Sequence, residues 1–306
     1  MNIASSPAQA FSAAAAAAAG QQQYPAATLY LVATPIGNLA DISLRAIHVL
    51  SLVDAVACED TRVTAQLLNW LGLHKPLVAL HQHNEQQAAQ GLVQRLRDGQ
   101  RVAYVSDAGT PAISDPGAVL VQAVQAQGLR VLPLPGASSA ATALSVAGDT
   151  RAQGFRFVGF LPTKAAERRT VLQSLVGAPY SQILFEAPHR IAELLALLAD
   201  LAPQQDLTLC RELTKQFETV HTAPASTFPE WLAADAQRSR GEFVLVLHAV
   251  EPAARDEGLP EEALRVLRVL LADLPLKQAA ALAAEITGVA RKLLYQQALA
   301  WKGDQD

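Results

Sequence analysis

Residues 102–117, VAYVSDAGTPAISDPG, constrain the fold more than any other stretch. Val102, Ala103, Tyr104 and Val105 leave no polar face, so the segment reads as a strand buried on both sides. The chain then breaks at Ser106, Asp107, Ala108, Gly109, Thr110 and Pro111, and again at Ser114, Asp115, Pro116 and Gly117, before helical spacing resumes at 118–125. Ordinary strand-to-helix connections run about 2–6 residues. This one holds two Asp, two Gly and two Pro. A buried strand feeding such a loop and then a helix is how open α/β sheets build ligand sites at the carboxyl ends of their strands.

The same strand–turn–helix order repeats on either side. Residues 28–34, TLYLVAT, end in the turn Pro35-Ile36-Gly37-Asn38, with Asp41 or Ser43 to cap a helix at 44–50. A strand at 55–58 runs into Glu59, Asp60, Thr61 and Arg62, then a helix that Gly72 stops. That charged cluster is either a site or a helix cap with a surface ion pair. A strand at 77–80 leads to His81-Gln82-His83-Asn84-Glu85, which lacks a third ligand at metal-binding spacing and reads as a polar loop. A strand at 129–132 precedes Gly136, Ser138 and Ser139 and a small-residue helix at 140–147. Free N–H groups at that helix start suit a carboxylate or other anion, and either Ser can also cap. Residues 28–147 are thus expected to form an α/β domain on a mostly parallel sheet.

The second half has more strand, at 157–161, 182–185, 207–210, 217–221 and 242–248, and 148–250 is expected to be a second α/β domain on a mixed sheet. Residues 258–306 are expected to form a small helical domain. Segments 276–286 and 290–301, about Thr287-Gly288, have a helix-turn-helix shape. Residues 1–27, with the Ala run 13–19 and the Gln run 21–23, are expected to be a disordered low-complexity tail. They lack the basic start of a signal peptide, and no apolar run nears the ~20 residues of a membrane span, so a cytoplasmic protein is expected. Net charge is −4, which gives no general affinity for nucleic acid. Cys58 and Cys210 sit in apolar strands and read as buried free thiols, and no metal site is expected.

Several motifs in order carry a resemblance. They are LYLVATPIGNLADISLRA (29–46), EDTR (59–62), SDAGTPAISDPG (106–117), PLPGASSAATALS (133–145), GFLP-x-K (159–164), FEAPHRI (185–191), RELTKQFE (211–218) and GEFVLVL (241–247). With the helical tail at 275–299, they resemble the ribosomal RNA small subunit methyltransferase I family, of the tetrapyrrole-methylase-like enzymes that use S-adenosylmethionine. The resemblance implies two α/β domains enclosing a cleft and 2′-O-methylation of a cytidine ribose in 16S rRNA of the small ribosomal subunit. It implies a homodimeric enzyme of the cytoplasm with no membrane partner. Matching cofactor-binding positions are Pro35, Asp107, Ala108, Gly109, Thr110, Pro111, Ile113, Ser138, Ser139 and Leu161. Glu59, Asp60, Lys164 and Glu186 are candidate catalytic groups, for accepting or orienting the hydroxyl proton. Arg62, Arg190, Arg211 and Lys215 are candidate RNA contacts, although each Arg also has a carboxylate nearby in sequence. Tetrapyrrole methylases usually carry a Gly-rich loop after the first strand. Here Thr34-Pro35-Ile36-Gly37-Asn38 stands there, which disfavours the alternative of a tetrapyrrole or other small-molecule methyltransferase. A non-enzymatic nucleic-acid-binding protein is the other alternative, and the cleft motifs disfavour it.

Overall fold

The structure, a computed structural model, describes residues 7–81, 84–114, 116–251 and 259–303, so His83 and Asp115 lie outside the described residues. Five strands, β1 (Thr28–Val32), β2 (Ala55–Cys58), β3 (Leu77–Ala79), β4 (Arg101–Val105) and β5 (Arg130–Leu134), form one sheet in the order β3-β2-β4-β1-β5. Every pairing is parallel. Alternate residues of these apolar strands feed opposite cores. Tyr30, Val32, Val56, Cys58, Ala103 and Val105 pack with Leu50 and Leu68 on one face. Leu29, Ala57, Val102 and Tyr104 pack with Leu92, Leu96 and Leu120 on the other. Burial on both faces is why these strands lack polar alternation.

The strand order fixes where a site can lie. The chain leaves β1 for a helix at Leu44–Leu52, which packs on the first face. It leaves the adjacent β4 for a helix at Ala118–Ala126, which packs on the second. The two loops diverge, and a crevice opens at the carboxyl ends of β1 and β4.

The second sheet holds β6 (Phe155–Phe160), β7 (Ser181–Glu186), β8 (Asp206–Arg211), β9 (Thr219–Pro224) and β10 (Phe243–Leu247), in the order β6-β7-β10-β8-β9. Only β6 and β7 are parallel, and the other pairs are antiparallel. One face buries Leu184, Leu209 and Leu245 against Leu172, Leu194 and Phe228. The other sets Ile183, Cys210, Val244 and Val246 against Ala143 and Ala147 of a helix at Ser139–Ala147, with Ile36. This small-residue helix thus joins the two sheets. The parallel and mixed sheets are those expected, and both belong to one compact unit that ends at Val250.

Beyond it lies a separate unit starting at Glu251. Its described helices, Glu261–Asp273, Leu276–Thr287 and Arg291–Gly303, share a core of Leu267, Ala279, Ala280, Ala283 and Leu294. Gly288, at φ +70°, ends the second helix in the left-handed conformation that glycine adopts without strain.

Where a disordered tail was expected, the described residues from Pro7 onward carry structure. Pro7–Ala19 form a helix with Ala15 and Ala19 buried. Phe11 meets the Trp70 ring at 4.9 Å between centroids. Alanine has the highest helix propensity, and here tertiary contacts add to it. Strand β9 lies later than the expected 217–221, and the short helix Phe228–Ala233 carries no clear periodicity because it spans fewer than two turns.

Candidate functional site

Loops after β1, β4 and β5 meet at the crevice. Thr34 and Gly109 exchange backbone hydrogen bonds (2.9 and 3.0 Å), and the Thr34 hydroxyl donates to the Ser106 carbonyl at 3.0 Å. The Ser106 hydroxyl donates to the Gly109 carbonyl, and the Thr110 hydroxyl donates to the Ala137 carbonyl at 2.9 Å. Gly109 has φ +84°, and a Cβ there would lie 3.3 Å from Ile36 Cγ2. The loop is therefore tied at both flanks and closely packed where it is thinnest. Its far end is held at Gly117, whose N–H donates to Glu85 Oε1 at 2.7 Å, and the buried Tyr104 hydroxyl donates to the Pro116 carbonyl.

These loops form one wall of a cleft of about 450 Å³. Ala108, Gly109, Thr110, Ile113, Ser114, Ser138, Ser139 and Ala140 come from the first sheet's side. Phe160, Phe185, Glu186, Ala187, Pro188, Glu242, Phe243 and Val244 come from the second. Ser138 is the N-cap of the helix Ser139–Ala147, accepting from the Ala141 N–H at 3.4 Å. Ser138 caps, and the helix start, whose first N–H groups have no acceptor within the helix, lines the cleft.

Pro35 and Asp107 line a second hollow of about 180 Å³ with Thr34, Val63, Thr64 and Ser106. Asp107 Oδ1 accepts from the Asp60 N–H at 3.1 Å, which ties the β4 loop to the β2 loop. Leu161 is buried and Pro111 lines neither cavity. The expected cofactor positions thus divide: Ala108, Gly109, Thr110, Ile113, Ser138 and Ser139 line the cleft, Pro35 and Asp107 line the second hollow, and Pro111 and Leu161 line neither.

The charged candidates are mostly engaged within the protein. Asp60 caps the helix Thr61–Trp70 and pairs with Arg62 at 2.6 Å. Hydrogen bonds from the Arg62 side chain and backbone hold its carboxyl down at about 2. Arg62 remains 86% exposed at its side chain. Glu59 is half-buried at the end of β2. Lys164 is exposed and pairs with Glu167 at 2.9 Å. Glu186 has a side chain with no exposed surface; its Oε1 accepts from the Ala187 N–H at 2.8 Å and lies 3.2 Å from Arg190 Nε. Arg190 also donates to the carbonyls of Leu161 (3.0 Å) and Pro162 (3.1 Å). Arg211 donates to the carbonyls of Arg240 and Phe217, both at 3.1 Å. Lys215 bridges Glu212 (3.1 Å) and Glu242 (2.9 Å). Burial opposes its charge, and these carboxylates raise its ammonium above the usual range all the same.

Lys215 also marks where the halves touch. A Cβ on Gly37 would lie 2.5 Å from Lys215 Cγ and 2.9 Å from the Leu213 carbonyl oxygen. The β1 loop therefore closes onto the turn after β8. Glu212 and Thr214 in that turn hold φ of +51° and +66°, which costs energy for residues with a Cβ. Phe160, Phe185 and Glu242 were not singled out from sequence. GFLP, FEAP and GEF end or begin the strands that line the cleft, and that placement was the available signal. Burial pushes the Cys58 thiol up and the Cys210 thiol to about 12, consistent with inert interior thiols. Among the described residues no cluster of three His, Cys, Asp or Glu could hold a metal, and no helix is long and apolar enough to cross a membrane.

Comparison with known proteins adds to the geometry. Residues 28–229 match the family model described as Tetrapyrrole (Corrin/Porphyrin) Methylases, and residues 257–302 match the RsmI C-terminal HTH domain. The chain is 50% identical over 275 residues to the ribosomal RNA small subunit methyltransferase I of Neisseria meningitidis serogroup B, covering 90% of this chain and 94% of that one. It is 50% identical over 279 residues to the protein of that name from Pseudomonas aeruginosa, covering 91% and 99%. The fold is similar to that of a uroporphyrin-III C-methyltransferase from Thermus thermophilus solved with S-adenyl homocysteine, with TM-score 0.50 and 17% identity over 72% of this chain and 92% of that one. Matched in sequence over nine-tenths of its length, the chain belongs to the ribosomal RNA small subunit methyltransferase I family, within the tetrapyrrole methylases.

Proposed function

We propose that this protein uses S-adenosylmethionine to methylate the 2′-oxygen of a cytidine in 16S rRNA, acting on the small ribosomal subunit as a cytoplasmic homodimer. The observation that carries the reading is the cleft between the sheets, where a tied glycine loop and a helix start face an apolar wall. Its residues fit the donor. Helix N–H groups at Ser139 suit a carboxylate, Gly109 permits close approach, and Phe185 and Val244 give an apolar surface for a base. The methyl donor supplies, when bound, a reactive methyl group on a sulfonium.

The protein's own contribution is chiefly placement. Thr34, Ser106 and Thr110 lock the β4 loop through backbone acceptors, so the wall keeps its shape when a ligand arrives. Arg190 fixes the chain at Leu161 and Pro162 across the cleft. A carboxyl held at about 2 is a weak proton acceptor, and Glu186 is covered, so in this geometry Asp60 and Glu186 serve structure before chemistry. Arg62 is the most exposed of the four cationic candidates and is the one we assign to RNA phosphate. The helical unit from Glu251 is proposed as an RNA-docking element.

Mapping 2′-O-methylated nucleotides in small-subunit RNA from cells with and without the protein tests the reading. One cytidine should lose its methyl group in the protein's absence. An unchanged map refutes it.

A further inference from the structure

Strand β6 breaks its own ladder next to the cleft. Phe157 pairs with Ile183, Gly159 with Leu184 and Phe160 with Phe185, which leaves Val158 as an extra residue. Gly159 holds φ +73°, a conformation that favours glycine. In a regular strand Phe157 and Phe160, three residues apart, would face opposite sides of the sheet. The bulge puts them on one side. Both rings stand edge-to-face to Phe185, at 5.1 Å and 5.6 Å between centroids and 71° and 72° between planes. Bulges of this kind re-aim side chains beside active sites.

The re-aimed ring is not buried by the turn. Phe160 is 60% exposed and forms part of the cleft wall, as does Ile113 at 51% exposure. The only charged residues lining this cleft among those described are Glu186 and Glu242. Both are paired, Glu186 with Arg190 and Glu242 with Lys215, so the wall offers an apolar ring with no free cation for phosphate, which suits an uncharged planar group. A ribose hydroxyl inside an RNA strand reaches a bound methyl donor when its nucleotide leaves the stack, and the freed base then needs a new π surface.

We propose that Phe160 is the platform on which the base of the substrate nucleotide stacks, with Phe185 bracing it from behind. This rests on the ribose-methylation reading. The shared chemistry is a nucleobase face, which the donor's own adenine also offers, so the test separates the two sources. Steady-state methylation of isolated small subunits gives KM for the subunit, and calorimetry gives the affinity for S-adenosylmethionine, in the wild type and in the Phe160→Leu and Phe160→Tyr variants. Phe160→Leu should raise the subunit KM roughly 5- to 100-fold, the range set by loss of one base–aromatic stack. Donor affinity should stay within twofold, and Phe160→Tyr should restore the KM. A matching loss of donor affinity with unchanged subunit KM would assign the ring to the donor's adenine and overturn the proposal. Unchanged values for both in Phe160→Leu would overturn it too. A wild-type protein that fails to methylate the subunit would refute the underlying reading instead.

Discussion

Replacing Arg190 by alanine separates two roles that its sequence position allowed. As an RNA contact its loss should weaken RNA binding and leave the fold intact. The structure gives it a different task. The Glu186 carboxylate has no exposed surface, and the Arg190 side chain, 14% exposed, is its cation at 3.2 Å. The same guanidinium holds the carbonyls of Leu161 and Pro162. Removing one partner of a buried pair leaves a carboxylate without compensation, at a cost of about 3 kcal/mol. For a unit of this size each kcal/mol moves the melting temperature by about 2–4 °C, so Arg190→Ala should lower it by about 6–12 °C. The double variant Glu186→Gln, Arg190→Met removes the stranded charge and should recover at least half of that loss. Differential scanning calorimetry of the full chain measures both. A melting temperature within 2 °C of wild type for Arg190→Ala, together with weaker RNA binding, would refute the structural role. A double variant as unstable as the single would refute the electrostatic cause.

Three further outcomes are expected from the same structure. Gly117→Ala, at φ +127° with its new Cβ against the Tyr104 ring, should cost about 1–3 kcal/mol in loop order and weaken S-adenosylmethionine binding by calorimetry; unchanged affinity would detach this anchor from the cleft. Phe11→Ala should lower the melting temperature by a few degrees through loss of about 1 kcal/mol of aromatic contact with Trp70, whereas a tail without structure predicts no change. Burial lowers the His248 pKa, against the pull of Asp149 and Asp206. A histidine held below its unfolded value near 6.5 stabilises the fold fully above that pH, and the contribution is lost as pH falls towards its folded value. Urea midpoints measured from pH 7.5 to 5 should fall, and His248→Gln should flatten the slope; an equal slope in that variant would sink the assignment.

Much of this architecture was readable from residue order. Strands such as Val102–Val105 have no polar face, and paired turn chemistry marks their ends, so the parallel sheet and its loops follow from local pattern. The mixed sheet was readable for the same reason. The tail helix was not, because an Ala run says nothing of whether a partner such as Trp70 waits for Phe11. Nor were the fates of the cations. Arg190 and Arg211 bond to carbonyls whose positions depend on the whole fold, and nothing about an Arg beside a Glu in sequence reveals that. Phe160 was hidden by its bulge, since strand periodicity alone turns it away from the cleft.

The position of β10 has a consequence for how the protein is made. It is the last strand of its sheet to be synthesised, yet it sits at the centre, between β7 and β8. The first sheet has all its strands once Leu134 has emerged, whereas the second lacks its middle until Phe243–Leu247 follow. At about 5–20 residues per second, the roughly 36 residues from Arg211, where β8 ends, to Leu247 take about 2–7 s. During that interval β7 and β8 each offer an open edge to any passing chain. A nascent protein of this design therefore depends on the time spent near the ribosome, and slow translation between those strands should increase misassembly.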